Sequence, residues 1–243
     1  MPNLLTTPTQ ILDFNTPEIQ NLIQTRGWRN LAAYDQIGAI YEFVRNDIVF
    51  GYNTLDALPA SRVLRDGYGQ CNTKANVLMA LLRAVDIPCR LRGSTIRKAL
   101  QRGFVPAWAY PLAPQSILHT WVEVSFEDRW IGLEGVILDD PLIQSIQTQF
   151  KDTTQLCGYG VGTDQLHDPK VVWRGEDTQI QSTGINADFG VFETPDAFYE
   201  RFTQFPPLKQ ALYSFGVRHW MNRNVRKWRN AKPRVRMIGA PDR

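Results

Sequence analysis

The segment GQCNTKANVLMALLRAVDIP, residues 69–88, is the most informative part of the chain about its fold. A glycine turn leads into a cysteine, and apolar residues then recur at helical spacing. The pattern predicts a central apolar helix that begins near Cys71 and stops before Pro88. Its apolar positions are Ala75, Leu78, Leu81, Leu82 and Val85.

Cys71 would lie in the first turn of this helix. Helix N-termini carry unpaired backbone N–H groups and a partial positive charge, and both favour a thiolate over a thiol. The same N–H groups can hold an oxyanion beside the sulfur. The position therefore indicates either a nucleophile or the more ordinary case of a small buried hydrophobic residue.

A second stretch, ILHTWVEVSFEDRWIGLEGVIL at residues 117–138, predicts a β-hairpin. Its turn is centred on Glu127 and Asp128 or one residue earlier. In either register His119 on the first strand and Glu134 on the second share one face. The other face, toward a core, carries Val122, Val124, Ile131 and Leu133.

An imidazole beside a carboxylate supplies the base and the orienting acid of a Cys–His–acid triad. A structural His–Glu hydrogen bond in a sheet would show the same pattern. Asp139 and Asp140 fit the place of the acid less well than Glu134, because Asp139 has the parity of the apolar face and Asp140 lies farther along the chain. Gln70 is a candidate for a second oxyanion donor, although a turn glutamine is the plainer interpretation.

Together these motifs resemble the transglutaminase-like superfamily over about residues 37–139. The matching positions are Gly69, Cys71 and Ala75 in the nucleophile helix, and His119, Trp121, Val122, Glu123, Val124 and Trp130 in the second motif. Glu134 stands where the family usually has Asp, which preserves the carboxylate. Because some members of the family use a tryptophan indole N–H as an oxyanion donor, the resemblance also makes Trp28 a candidate for a second donor, although a core aromatic is the plainer interpretation. The resemblance implies a papain-like α+β fold, with the nucleophile helix packed on an antiparallel sheet that carries the histidine and the acid.

The resemblance also implies a cysteine-dependent hydrolase or acyltransferase. Cys71 would attack an amide or thioester carbonyl, His119 would move the proton, and Glu134 would hold the imidazole in its productive tautomer. The resulting thioester acyl-enzyme would pass its acyl group to water, as in an amidase or peptidase, or to an amine, as in a transglutaminase-like transferase. The expected substrate is a peptide or a small-molecule amide or thioester, and neither a cofactor nor a metal is needed.

Two other functions stay open: an amide synthase that uses carrier-protein thioesters, and a non-catalytic binding or scaffold protein on the same fold. Residues 218–243 hold nine Arg or Lys and one acid, a net charge of +8, whereas residues 1–217 carry −5. This basic tail suits an acidic protein partner, and a solvated helix face whose charges pair with the acidic body of the chain would show the same pattern. The tail contains no recognition motif for nucleic acid, so that partner is not expected.

The composition, 43% hydrophobic and 21% charged over 243 residues, is that of a globular protein. We expect a catalytic core over residues 1–150 and a C-terminal extension over residues 151–243. No elements are predicted for residues 151–206. The basic last helix of the extension would pack on the core with Trp220 and Trp228 on its docked edge and its arginines facing out.

The cysteine content and the apolar patterning bear on the compartment. Three cysteines are too few, and odd, for a disulfide framework, which indicates reduced thiols in a cytoplasmic protein. No apolar run reaches the roughly 18 residues of a membrane span. The first residues, MPNLLTTPTQ, show no secretory signal, so none is expected.

Overall fold

A computed structural model describes residues 4–231 of the chain. The helices are α1 (Pro17–Arg26), α2 (Ala33–Asn46), α3 (Ala60–Asp66), α4 (Cys71–Ala84), α5 (Asp140–Gln149), α6 (Pro195–Tyr199), α7 (Pro207–Leu212) and α8 (Arg218–Arg229), and a π-helical segment, Tyr213–Val217, joins α7 to α8. The strands are β1 (Val49–Phe50), β2 (Tyr68–Gly69), β3 (Cys89–Arg97), β4 (Ser116–Phe126), β5 (Arg129–Gly132), β6 (Leu156–Gly158), β7 (Val161–Thr163) and β8 (Ile185–Phe192). The predicted α+β class is confirmed.

The main sheet has four antiparallel strands in the order β5-β4-β3-β8. Phe126 pairs with Arg129, so the β4–β5 turn is centred on Glu127 and Asp128, the later of the two predicted registers. Both turn residues have positive φ, 49° and 59°, as a tight two-residue hairpin turn requires. The predicted apolar face is buried at all four of its positions, Val122, Val124, Ile131 and Leu133.

Helix α4 is central, as the sequence predicted, and every residue of it is buried. The most unusual of these is Lys74, whose side chain is fully enclosed. Its Nζ donates hydrogen bonds to the backbone oxygens of Arg45 at 2.9 Å and Ile137 at 3.0 Å. Burial lowers the pKa of Lys74 to about 7, although the nearby Asp139 carboxylate favours the charged form. The lysine thus ties the cysteine helix to α2 and to the chain that precedes α5.

Strand β8 completes the sheet from a region in which the sequence predicted no elements. It pairs with β3, and the register shifts between Gly93 and Ser94 and again between Thr95 and Ile96. The part of the chain after residue 150 therefore contributes a strand to the sheet that carries His119. The division of the chain into units at residue 150 stays a prediction.

The last helix packs on the core by a stripe different from the predicted one. Met221 and Val225 are buried and Trp228 packs against the same core, whereas 51% of the Trp220 surface is exposed. The prediction that both tryptophans share the docked edge is wrong. Trp220 and Trp228 are eight residues apart, so their side chains point about 80° away from each other on a helix. Met221, Val225 and Trp228 are spaced by four and three residues, and these spacings keep them on one face.

Arg229 is also turned inward rather than outward, which corrects the prediction for this arginine. Its Nε and Nη2 donate to the Asp139 carboxylate at 2.9 and 2.8 Å, and Nη2 also donates to the Phe50 carbonyl at 2.7 Å. The Asp139 carboxylate also accepts hydrogen bonds from the backbone N–H groups of Phe50 at 2.8 Å and Leu142 at 3.2 Å. Asp139 is the N-cap residue of α5, and the bond from Leu142 is the capping hydrogen bond. Burial would raise the pKa of Asp139, but Arg229 holds it below its usual value.

Within residues 4–231 no helix is long and apolar enough to cross a membrane.

Candidate active site

Cys71 is the first residue of α4 and lies beside a cavity, with 8% of its surface exposed. The glycine of the motif permits this turn because a Cβ at Gly69 would come within 2.7 Å of Thr73 Oγ1. The backbone N–H of Gln70 donates to that same Oγ1 at 3.1 Å and so satisfies one free donor at the helix start. The sequence motif therefore fixes the backbone directly around the sulfur.

His119 lies on β4 and Glu134 lies just beyond β5. His119 is fully buried, and its Nε2 is 3.4 Å from Glu134 Oε1. The prediction that Glu134 is part of the second strand is wrong, because β5 ends at Gly132 and Glu134 begins a short 3₁₀ helix. The predicted proximity of the two side chains is nevertheless present.

The Glu134 carboxylate is held by a loop that the sequence did not place. It accepts hydrogen bonds from the backbone N–H groups of Ile180 and of Gln181, the latter at 3.0 Å from Oε1. The backbone N–H of Glu134 donates to the Thr178 carbonyl at 3.1 Å. These backbone hydrogen bonds from the loop fix the position of the carboxylate.

The electrostatics of the site favour a protonated His119. Burial alone would lower the pKa of the imidazole, but the Cys71 sulfur and the Glu134 carboxylate outweigh burial and raise it to about 9. Neither ring nitrogen has a hydrogen bond of good geometry, so the 3.4 Å contact is a charge contact and not an aligned hydrogen bond. Active-site hydrogen bonds are often long before substrate binds.

Asn72 was not predicted from the sequence, yet it connects the cysteine to the strand that carries the histidine. The Cys71 thiol donates to Asn72 Oδ1 at 3.5 Å, and the Thr120 hydroxyl donates to the same oxygen at 3.1 Å. Asn72 Nδ2 donates to the Leu118 carbonyl at 3.2 Å. Its partners on β4 thus flank His119. The signal in the sequence was an amide side chain directly after the cysteine, in a helix that is otherwise largely apolar.

The two candidates for a second oxyanion donor have other partners. Gln70 Nε2 donates to Asp56 Oδ1 at 2.9 Å, and Gln70 Oε1 accepts from the Asn53 N–H at 2.8 Å. These two hydrogen bonds connect the loop after β1 to the turn that precedes Cys71. Trp28 is a buried core residue that packs edge-on against Phe43 at 5.4 Å, and it does not line the cavity.

The cavity beside Cys71 has a volume of about 310 Å³. Asp56 lines it next to Gln70. Burial raises the pKa of Asp56 despite the hydrogen bond from Gln70, although the residue keeps part of its surface toward the cavity. Asp56 is a second residue of the site that the sequence did not single out.

The other cysteines lie away from this arrangement. Cys157 is exposed, and Cys89 is buried so that desolvation raises its pKa to about 11. The glycine-rich segment that follows Cys157 forms a tight turn between β6 and β7. Among the side chains that the structure describes, no group of three or more His, Cys, Asp or Glu could hold a metal ion.

Comparison with protein families finds a match over part of the chain. Residues 24–134 match the model of the transglutaminase-like superfamily, and this match confirms the predicted resemblance. The match supports the class of cysteine-dependent hydrolases and transferases. It includes Cys71 and His119 and ends at Glu134.

The structure comparison gives a distant neighbour, and a search of curated proteins gave no significant match. The neighbour is a crystal structure from Cytophaga hutchinsonii described as that of a candidate cysteine protease. The two chains are 18% identical and superpose with a TM-score of 0.40. The aligned region covers 53% of this chain and 39% of the other.

Proposed function

We propose that the protein is a cysteine-dependent acyl-transfer enzyme that acts on an amide or thioester carbonyl. Cys71 is the nucleophile, His119 is the general base and acid, and Glu134 orients the imidazole and stabilises its charge. The observation that carries the proposal is the fully buried His119 imidazole, whose Nε2 is 3.4 Å from Glu134 Oε1 and whose pKa is raised to about 9 by both the Cys71 sulfur and the Glu134 carboxylate. A base that interacts with a cysteine and is oriented by a carboxylate can activate that cysteine as a nucleophile.

The reaction begins when His119 takes the proton of the Cys71 thiol, which gives a thiolate and an imidazolium. The thiolate adds to the carbonyl carbon, and the backbone N–H at the start of α4 stabilises the oxyanion. The imidazolium then protonates the leaving amine or thiol, which leaves a thioester acyl-enzyme. Neutral His119 next takes a proton from water or from an acceptor amine, and attack on the thioester releases the product and the thiolate. Attack by water makes the enzyme an amidase or peptidase, and attack by an amine makes it a transferase.

The test is hydrolysis of a panel of acyl thioesters and peptide amides, measured by the thiol or ammonia that is released. Cys71→Ala should lower kcat by at least about 10³-fold, because loss of a nucleophile removes the covalent route. Cys157→Ala is the matched control, since it removes an exposed thiol outside the site, and it should keep normal turnover. Equal activity in the two variants would contradict the proposal.

A second candidate, amide synthesis from a carrier-protein thioester, is supported by the charge of the last helix. Helix α8 exposes Arg223, Arg226 and Lys227, which suit an acidic carrier. Four further basic residues lie outside the described residues, namely Lys232, Arg234, Arg236 and Arg243. Amine-dependent consumption of a carrier-bound acyl group, absent with the free thioester, would favour this candidate over hydrolysis.

A further inference from the structure

The wall of the cavity beside Cys71 is mostly apolar. Trp108 comes from the connection between β3 and β4, Leu118 from β4, Leu212 from α7 and Met221 from α8. At about 310 Å³ the cavity is at the lower end of the range for small-molecule sites. Its size and position suit one short chain that extends away from the sulfur.

Charge is scarce in this wall. Within residues 4–231 the charged side chains that line it, apart from the cysteine, are Asp56 and Lys209. Asp56 is beside the nucleophile turn and already accepts from Gln70. Lys209 is exposed on α7, so its ammonium group lies in water at the rim. The wall therefore offers one carboxylate, which already has a partner, and one ammonium group at its exposed rim.

Two amide side chains of the wall are held by internal hydrogen bonds. Gln101 Oε1 accepts a hydrogen bond from the Tyr52 hydroxyl, and Gln181 Nε2 donates to the Gly160 carbonyl at 2.6 Å. Gln181 Oε1 is buried without a partner. Because this free group is an acceptor, it disfavours a carboxylate nearby and leaves an anionic ligand chain without compensation.

The mouth of the cavity is apolar as well. Leu55, Trp108, Leu112 and Leu212 all line it and still expose 45%, 59%, 75% and 62% of their surfaces. Large apolar side chains left together at the surface mark places where apolar ligands bind. The apolar lining of the cavity therefore extends to its solvent-exposed rim.

We propose that the acyl group transferred by this enzyme is an uncharged apolar chain that occupies this cavity with its carbonyl carbon at Cys71 Sγ. The proposal rests on the proposed function. With a thioester R–CO–S–R′, Cys71 forms a bond to the carbonyl carbon, the bond to the leaving sulfur breaks, and R′–SH departs with the proton of the His119 imidazolium. The enzyme then carries R–CO–S–Cys71, which water converts to R–COOH and the free thiol.

The experiment measures kcat/KM for N-acetylcysteamine thioesters with acetyl, butyryl, hexanoyl and octanoyl groups. Burial of a methylene favours binding by up to about fourfold, so the hexanoyl thioester should exceed the acetyl thioester by on the order of 10²-fold. An octanoyl chain that ends in a carboxylate should react much more slowly than octanoyl itself. Equal rates along the series, or a preference for the carboxylate, would overturn the proposal.

A variant of the wall tests where the chain binds. Ala113 is half-buried in the wall, and Ala113→Phe should lower the octanoyl-to-acetyl ratio of kcat/KM at least about tenfold by filling the cavity. Ala107→Phe is the matched control, because Ala107 is exposed in the same connection and outside the wall, and it should keep the wild-type ratio. If Ala113→Phe does not fold, Leu112→Glu at the exposed rim should lower the same ratio. An unchanged ratio in the folded variants would place the chain elsewhere.

The two proposals fail in different ways. If neither the thioesters of the series nor the peptide amides acylate Cys71, the proposed function is wrong. If acetyl and octanoyl groups both acylate Cys71 at similar rates, the acyl-transfer function stands and only the apolar substrate class is wrong.

Discussion

Replacement of Glu134 by Gln should shift the basic limb of the pH–rate profile to lower pH. The carboxylate is 3.4 Å from His119 Nε2, and at an effective dielectric of about 20 the attraction of the two charges is about 5 kcal/mol before desolvation is subtracted. An opposite charge at this range commonly moves a pKa by about 1–3 units. The pKa of His119, about 9 in the native protein, should therefore fall to between about 6 and 8 in the variant.

The sign of the effect follows from the role of the imidazolium. His119 must be protonated to donate a proton to the leaving group, so activity is present below its pKa and is lost as the pH rises through that value. The measurement is kcat/KM for thioester hydrolysis from pH 6 to pH 10. At pH 8 Glu134→Gln should lose about 10²–10⁴-fold, since the analogous change in a serine protease cost about 10⁴.

Two controls separate orientation from folding. Gln at 134 offers one oxygen to the two N–H donors that the carboxylate now serves, which should cost about 1.5–3 kcal/mol of stability, and a thermal melt measures this. Glu123→Gln is the matched variant, because Glu123 is also on the hairpin but pairs with Arg90 at 2.7 Å, and it should leave the basic limb near 9. A folded Glu134→Gln variant with an unmoved basic limb and a rate within about twofold of wild type would refute the reasoning.

Three further predictions concern the ion pair of Asp139, the reactivity of the thiols and the basic tail. Asp139→Asn should cost about 3–5 kcal/mol in chemical denaturation, because it leaves the guanidinium of Arg229 buried without its carboxylate, and the pH–rate profile should stay unchanged. Because the folded-state pKa of Asp139 is lowered, its contribution to stability is present above pH 3.8 and is lost as the pH falls further, so the difference between wild type and variant should shrink in acid. Limiting iodoacetamide at neutral pH should label Cys71 before Cys89, whose raised pKa keeps it protonated, and equal labelling would contradict the nucleophile assignment. A chain that ends at residue 230 should fold and keep its turnover on a neutral substrate, whereas binding to an acidic protein should weaken and depend less on salt.

The sequence located the nucleophile helix and the hairpin because both patterns are local. The alternation of β4 and β5 and the helical spacing after Cys71 depend on burial of neighbouring residues in the chain. Glu134 was assigned to a strand because the alternation continues past Gly132. The strand in fact ends there, since the Gly132 carbonyl and the Glu134 N–H bond to Thr178, far along the chain.

Strand β8 could not be found from its own pattern. Most residues of β8 are exposed, so the strand shows no alternation of buried and exposed positions. Gly190, within the strand, has a φ of 82°, which is not a strand conformation. Its place depends on the irregular edge of β3. Asp56 and Asn72 escaped notice for a similar reason, because their contacts join segments that only the folded chain brings together.

The central claim is that Cys71 forms a thioester with the substrate acyl group. Intact-protein mass spectrometry after rapid mixing with an acyl thioester measures this directly, and peptide mapping identifies the residue. We expect a transient adduct with the mass of the acyl group on Cys71, which is absent in Cys71→Ala and retained in Cys157→Ala. Turnover without an adduct on Cys71, or an adduct that persists when Cys71 is replaced, would contradict it.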